Sequence, residues 1–138
     1  STYLPTIVTI TAAMSAFSMA WVVSSVRRND QRSAGVALAL TVILGLAMIN
    51  AQWYSMIRPR FGIGTHAYGT LYYLLIGYHA VHLAAAIGAA VLVGSRALAG
   101  HYSRENYDAL RAASALWQYG NAAWFVIVTA VFLFSPHA

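Results

Sequence analysis

The sequence contains no cysteine and no lysine, and only three of its 138 residues are acidic. Without cysteine the chain forms no disulfide, offers no thiolate to a metal and has no thiol nucleophile. Charged residues make up 8% of the chain, whereas soluble domains carry about 25%. The net charge of +5 comes from arginine alone. In so apolar a chain, this positive charge favours lipid headgroups over nucleic acid as the anionic partner.

Hydrophobic residues account for 60% of the chain and fall into four long runs. A helix needs about 20 apolar residues to cross a hydrocarbon core of roughly 30 Å. The four runs are too continuous for barrel strands, which alternate and turn about every ten residues. We therefore predict one all-α membrane domain, residues 1–138, built as an integral membrane four-helix bundle. Its transmembrane helices are expected at about 4–26, 34–57, 69–95 and 112–135.

Arginine is distributed unevenly among the three connectors between these runs. The first and third connectors hold six arginines and the second holds two, namely Arg27, Arg28, Arg32, Arg96, Arg104 and Arg111 against Arg58 and Arg60. Because basic residues accumulate in cytoplasmic loops, the first and third connectors are predicted inside and both termini outside. No basic segment precedes a short apolar core with a cleavage site, so no signal peptide is predicted.

Several polar side chains fall inside the predicted spans, where lipid offers them no partner. They are Gln52 and Ser55 in the second span, His79 and His82 in the third, and Gln118 and Asn121 in the fourth. The histidines, like the last two, are three residues apart and so share one helix face. We expect the six to form one neutral hydrogen-bonded cluster. Trp117, Trp124 and Gly77 are expected to serve helix packing or lipid contact.

The sequence argues against two other uses of the histidine pair. Imidazole is a common metal and haem ligand, but two histidines on neighbouring turns of one face cannot bind opposite sides of one haem. No carboxylate in any span completes a metal site, so no metal is predicted. The same lack of an acid at membrane depth argues against a proton-coupled exporter.

The third and fourth spans carry strings that resemble subunit III of the haem-copper terminal oxidases. The segment 68–83 reads YGTLYYLLIGYHAVHL and is similar to the family signature of tyrosine-glycine-serine, aromatics and then G-F-H-G-x-H-V. The segment 117–124 reads WQYGNAAW and resembles the family's W-H-F-x-D-x-x-W. Weaker echoes are Q-W-Y-S at 52–55, similar to Q-x-x-E, and L-P-T at 4–6, similar to L-N-T.

The resemblance implies that these four spans correspond to the last four of the family's usual seven. It implies a non-catalytic accessory subunit that stabilises the catalytic subunit I of a respiratory oxidase, with no catalytic residue of its own. Haem and copper would reside in that partner, and this chain would hold no cofactor beyond phospholipid. Other oxidase subunits and membrane lipids would be its further neighbours, in the plasma (inner) membrane of a bacterium or archaeon.

Three positions depart from the family pattern together. Ser55 replaces the family's Glu, Gln118 its His and Asn121 its Asp, so each ionisable group becomes neutral. An unpaired charge in a low dielectric is costly. Replacing all three ionisable groups therefore leaves no single charge buried without its partner. Two alternatives remain open: a subunit III-like companion of nitric oxide reductase, and a haem-binding membrane anchor of a dehydrogenase.

Overall fold

The computed structural model describes residues 3–57, 67–99 and 107–133, and the described part is helical. It contains four helices: α1 Tyr3–Arg27, α2 Gln31–Ile57, α3 Ala67–Leu98 and α4 Asp108–Leu133. The all-α prediction is confirmed. α3 and α4 begin earlier than the predicted spans, because a membrane helix continues past the hydrocarbon until a turn or a cap ends it.

A tight turn joins α1 to α2. Asn29 adopts a left-handed conformation with φ of 55°, and the N–H of Asp30 bonds to the carbonyl of Ser25 at 2.8 Å, closing a Schellman-type helix end. Asp30 then caps α2, since its carboxylate accepts from the N–H of Ser33 at 3.1 Å. The Ser33 hydroxyl and N–H, together with nearby Arg28, hold the pKa of Asp30 below its usual 3.8.

The four helices form a closed antiparallel ring, in which consecutive helices pack against each other and α4 packs against α1. At one end, the side-chain amide of Gln31 donates to the carbonyl of Ala97, linking the start of α2 to the end of α3. The described arginines collect at this end: Arg27, Arg28, Arg32, Arg96 and Arg111. Arg58, Arg60 and Arg104 lie outside the described residues, and the cytoplasmic placement of the arginine end remains a prediction.

Three helices are long and apolar enough to cross a membrane, over Thr6–Arg27, Gln31–Tyr54 and Tyr73–Ala97. α4 has a comparable length of 26 residues, but Gln118 and Asn121 lower the mean hydropathy of its central turns. Both side chains point toward α1, as their hydrogen bonds show. The outer surface of α4 therefore stays largely apolar, with Leu116, Phe125 and Val126 exposed.

Large apolar side chains also cover the outer surfaces of the other helices. Phe17 on α1 is 79% exposed, and Val81 on α3 is 72% exposed. The interior holds Trp117, Trp124, Met19 and many alanines. Apolar groups on both the inside and the outside are the arrangement expected of a bundle whose solvent is lipid.

Candidate functional site in the bundle interior

His79 is the most enclosed ionisable side chain in the described part and links three helices. From α3, its Nε2 lies 3.2 Å from the carbonyl oxygen of Gly120 on α4. Its Nδ1 lies 2.5 Å from Nε2 of Gln52 on α2. A carbonyl only accepts, so Nε2 carries the hydrogen and Nδ1 accepts from the Gln52 amide. Burial in an apolar interior favours the neutral imidazole, and both nitrogens of His79 are engaged by protein.

The side chain of Gln52 is oriented by this tautomer. Its NH2 group must face Nδ1 of His79, so its Oε1 faces away, and Oε1 is buried with no partner among the described residues. In a neutral ring, turning the amide over would require Nδ1 to donate, and Nε2 would then oppose the Gly120 carbonyl with a lone pair. The bonds of His79 therefore fix the orientation of Gln52.

His82 lies one turn along α3 and also bonds to the backbone of α4. Its Nε2 lies 3.0 Å from the carbonyl oxygen of Leu116, and its ring meets the edge of Tyr119 with centroids 5.2 Å apart. Gly120 makes this approach possible, because a Cβ there would lie 2.7 Å from Cδ2 of His82. We call Gln52, His79 and His82, with the carbonyls of Leu116 and Gly120, the histidine network.

A second network joins α4 to α1 and centres on Ser15. The Ser15 hydroxyl accepts from Nε1 of Trp117 at 3.0 Å and from Nδ2 of Asn121 at 3.3 Å, and it donates to the carbonyl of Ala12 at 2.8 Å. Asn121 Nδ2 also donates to Oε1 of Gln118 at 3.2 Å. Gln118 Nε2 in turn donates to the carbonyl of Ala16 at 2.9 Å. We call these side chains the serine network.

Two further polar contacts reinforce the ring. The hydroxyls of Ser18 on α1 and Thr41 on α2 lie 2.7 Å apart, and Thr41 donates to the carbonyl of Ala37 at 2.8 Å. Trp124 donates through Nε1 to Thr9 at 2.9 Å while its ring packs 4.9 Å from that of His79. Polar contacts therefore cross all four neighbouring helix interfaces.

The sequence predicted one cluster, and the described contacts divide its members between two networks. Gln52 and His79 do bond each other. Gln118 and Asn121, however, face α1, while the histidines reach backbone carbonyls of α4. The reason is the rotation of α4 about its axis. α4 packs between α3 and α1, and its two polar side chains lie on the side that faces α1. The side chain of Ser55 lies outside the described residues.

Trp117, Trp124 and Gly77 were predicted to pack or to meet lipid. Both tryptophans are buried, so they pack inside the bundle. A Cβ on Gly45 would lie 2.7 Å from Cη2 of Trp117, so this glycine makes room for the indole. Gly77 is half-buried.

Sequence reasoning missed Ser15, Ser18 and Thr41. The one available signal was the pair of serines three residues apart in the first apolar run. Serines in membrane helices commonly bond their own backbone, so this signal did not identify a partner.

The chemistry available to these networks is neutral hydrogen bonding. Among the described residues, no group of three or more His, Asp or Glu side chains is placed to hold a metal ion. His79 and His82 each use Nε2 on a backbone carbonyl, and His79 also uses Nδ1. The arrangement cross-links helices without ions.

The sequence model of the family described as cytochrome c oxidase subunit III matches residues 1–136. The chain belongs to the cytochrome c oxidase subunit III family. Cytochrome c oxidase subunit 3 of Synechocystis sp. is 26% identical over 131 residues, covering 94% of this chain and 56% of the relative. The Arabidopsis thaliana protein of that name is 22% identical over 129 residues, covering 94% and 49%. The Thermostichus vulcanus protein is 22% identical over 135 residues, covering 95% and 66%.

Membership of the subunit III family confirms the resemblance noted in the sequence. The chain spans about half the length of the curated relatives it matches. The histidine network contains two positions that match the family string, His79 and His82. The serine network contains two that depart from it, Gln118 and Asn121, and these two amides bond each other directly.

Proposed function

We propose that the chain is a non-catalytic accessory subunit of a respiratory haem-copper terminal oxidase. It would stabilise the catalytic subunit I by packing its helices, with bound lipid, against that partner and other oxidase subunits. Haem and copper would reside in the partner. The family match over residues 1–136 is the observation that carries this proposal.

The geometry of the histidines supports a structural role over ligand binding. His79 has protein partners at both ring nitrogens, so binding a haem iron would require breaking one of these bonds. His82 commits Nε2 to the carbonyl of Leu116. These contacts favour the accessory subunit over a haem-binding dehydrogenase anchor, in which imidazole nitrogens must be free for iron.

We further propose that residues 1–138 form one membrane domain in which α4 is the fourth span. Its polar side chains bond toward α1 and its apolar ones face outward, as a lipid-exposed helix requires. The arginine end would face the cytoplasm and both termini the outside of a bacterial or archaeal plasma membrane.

Affinity purification in mild detergent tests the proposed partner. The tagged chain should bring down a haem-copper catalytic subunit, identified by mass spectrometry and by its reduced-minus-oxidised absorption spectrum. A matched tag on that catalytic subunit should recover this chain in return. Recovery of a nitric oxide reductase would instead support the companion of that enzyme. A Soret band from the isolated chain would support the haem anchor, and either result would contradict our proposal.

A further inference from the structure

A pair of tyrosines breaks the apolar outer surface of the bundle at the seam between α3 and α4. The hydroxyls of Tyr78 and Tyr119 lie 3.2 Å apart. The side chains are 49% and 56% exposed, respectively. Ring contacts tie both to His82 of the histidine network. The interior polar site therefore continues to the outer surface here.

Both tyrosines lie in the central turns of their helices, where we expect hydrocarbon around the bundle. At 1.5 Å per residue, Tyr78 is roughly 7 Å from the midpoint of α3 and Tyr119 roughly 2 Å from that of α4. The hydrocarbon layer extends about 15 Å on each side of the bilayer centre. Lipid headgroups, which carry the acceptors of a membrane, lie outside that layer, so only acyl chains surround this pair when lipid covers it.

Each hydroxyl carries one hydrogen, and the bond between the two tyrosines uses only one of them. Whichever hydroxyl donates, the hydrogen of the other has no acceptor among the described residues. Leaving a hydroxyl without a partner in an apolar medium is unfavourable, so polar groups at membrane depth face protein or a water-filled cavity. The second hydroxyl hydrogen of the pair therefore needs an acceptor from outside the four helices.

The surface beside the tyrosines suits a helix as the source of that acceptor. Val81, Ala85 and Gly88 follow Tyr78 along one exposed face of α3, and a Cβ placed on Gly88 would meet nothing within 4 Å. Small residues let a neighbouring backbone approach closely. We call Tyr78, Val81, Ala85, Gly88 and Tyr119 the tyrosine face.

The outer face of α1 provides the contrast. It presents Ile10, Met14, Phe17 and Trp21, which are large. Thr11, also on α1, bonds back to the carbonyl of Ile7 at 2.8 Å. Acyl chains can cover these large apolar side chains without loss.

We propose that the tyrosine face is where a transmembrane helix of a neighbouring oxidase subunit docks, presenting a hydrogen-bond acceptor to the Tyr78–Tyr119 pair. The proposal rests on the accessory-subunit function above and adds which face of this chain meets the partner. A backbone carbonyl or a Ser, Thr, Asn, Gln or Glu side chain would supply the acceptor.

Photocrosslinking tests the docking face in the intact complex. The chain has no cysteine of its own, so Val81→Cys and Phe17→Cys each accept a single benzophenone maleimide in native membranes. Val81→Cys should crosslink to one oxidase polypeptide with at least tenfold higher yield than Phe17→Cys, which should give lipid adducts. Lipid adducts alone from Val81→Cys, or a dimer of this chain, would overturn the docking proposal.

A hydroxyl-removal series separates hydrogen bonding from simple contact. Tyr78→Phe with Tyr119→Phe, made in the Val81→Cys background, should lower the crosslink yield about threefold, since one membrane hydrogen bond is worth this much in an equilibrium constant. Tyr54→Phe, which removes a hydroxyl from an exposed tyrosine on α2, should leave it unchanged. An unchanged crosslink yield in the double variant would contradict a hydrogen bond between the tyrosine pair and the partner helix.

The failure of the docking proposal and that of the proposed function can be told apart. If the chain copurifies with the oxidase but Val81→Cys does not reach it, the docking face is wrong and the function stands. If the chain copurifies with no oxidase subunit, the function itself fails. Should the double tyrosine variant not fold, the Val81→Cys and Phe17→Cys comparison alone decides the docking face.

Discussion

The two sides of α4 are held by different kinds of hydrogen bond. Toward α1, the serine network joins side chain to side chain at Ser15, which accepts from both Trp117 and Asn121, and Gln118 adds one bond to the carbonyl of Ala16. Toward α3, the histidine network joins imidazole to backbone, because His79 and His82 reach the carbonyls of Gly120 and Leu116. A contact of the first kind needs a particular residue on both helices, whereas one of the second kind needs it only on α3.

Both departures from the family string on α4 lie on the α1 side, although Trp117 on that side matches the string. His79 and His82 match the family string, and their acceptors are carbonyls that any residue provides. Gln118 and Asn121 depart from it, and their contacts to α1 depend on Ser15 and on the carbonyl of Ala16. The contact of Asn121 therefore depends on a particular side chain of α1, while the contacts of His79 and His82 require only that position 120 of α4 be small.

The largest effect is expected from placing a charge in the serine network. Asn121→Asp puts a carboxylate at a buried position with no cation among its described contacts. Such an uncompensated buried charge costs about 3–5 kcal/mol. The variant should lose thermal stability and association with the complex at pH 7, measured by the temperature at which the subunit dissociates.

Ala109→Asp is the matched control for that variant. It adds the same charge on an exposed position in the first turn of α4, where the helix dipole favours an anion. It should be neutral. Unchanged stability in Asn121→Asp would indicate that the serine network reaches water.

Next in size is the loss of the shared hydroxyl at Ser15. Ser15→Ala strips acceptors from Trp117 and Asn121 at once, and leaving buried donors unsatisfied costs about 1–3 kcal/mol. Ser18→Ala removes one interhelical bond, to Thr41, and a local bond to the carbonyl of Ser15, while Thr41 keeps its own bond to Ala37, so about 0.6 kcal/mol is expected for the interhelical bond. Thermal melts of both variants give the comparison.

A double-mutant cycle sharpens this test. If Trp117 acts through Ser15, the effects of Ser15→Ala and Trp117→Phe should fall short of additivity by more than about 0.5 kcal/mol. Additive losses would mean that the indole stabilises the bundle by packing against Gly45 alone.

The two histidines should differ from each other. His79→Leu breaks bonds to Gln52 and Gly120 and leaves the buried Gln52 amide with no partner among the described residues, so a loss of about 1–3 kcal/mol is expected, comparable to that of Ser15→Ala. His82→Leu breaks the bond to Leu116, so about 0.6 kcal/mol is expected. Subunit dissociation on heating measures both. Equal losses, or a larger one in His82→Leu, would contradict the assignment of His79 as the three-helix link.

The smallest effect lies outside both networks, at the cap of α2. Because the folded-state pKa of Asp30 is lowered below 3.8, its ionised form adds stability above that pH and the contribution is lost as pH falls below it. Asp30→Asn should therefore melt slightly below the wild type at pH 7, with the difference vanishing under pH 3.8. A difference that widens in acid would contradict the cap.

Much of this fold could be predicted because hydrophobic length sets membrane helices directly. Residues 34–57 and 69–95 fall inside α2 and α3. The helix ends were harder to predict, since they depend on local features such as the left-handed conformation of Asn29 and the Asp30 cap. A hydropathy pattern carries no trace of these.

The sequence identified some members of the two networks but neither Ser15 nor the connections. Gln52, His79 and Asn121 were recognisable because they are polar residues inside apolar runs. Their partners depend on the rotation of each helix about its axis, and several acceptors are backbone carbonyls, which no sequence pattern marks. Gly45 and Gly120 matter through the space they leave for Trp117 and His82, which only three-dimensional packing reveals.

The central claim is that His79 and His82 cross-link helices in an accessory subunit and bind no haem. The most direct test is the haem content per mole of purified complex for the double variant His79→Leu with His82→Leu, measured from the reduced-minus-oxidised spectrum. Haem content equal to the wild type, with the subunit lost at a lower temperature, is the predicted result. A haem content that falls with the number of histidines removed would contradict the claim.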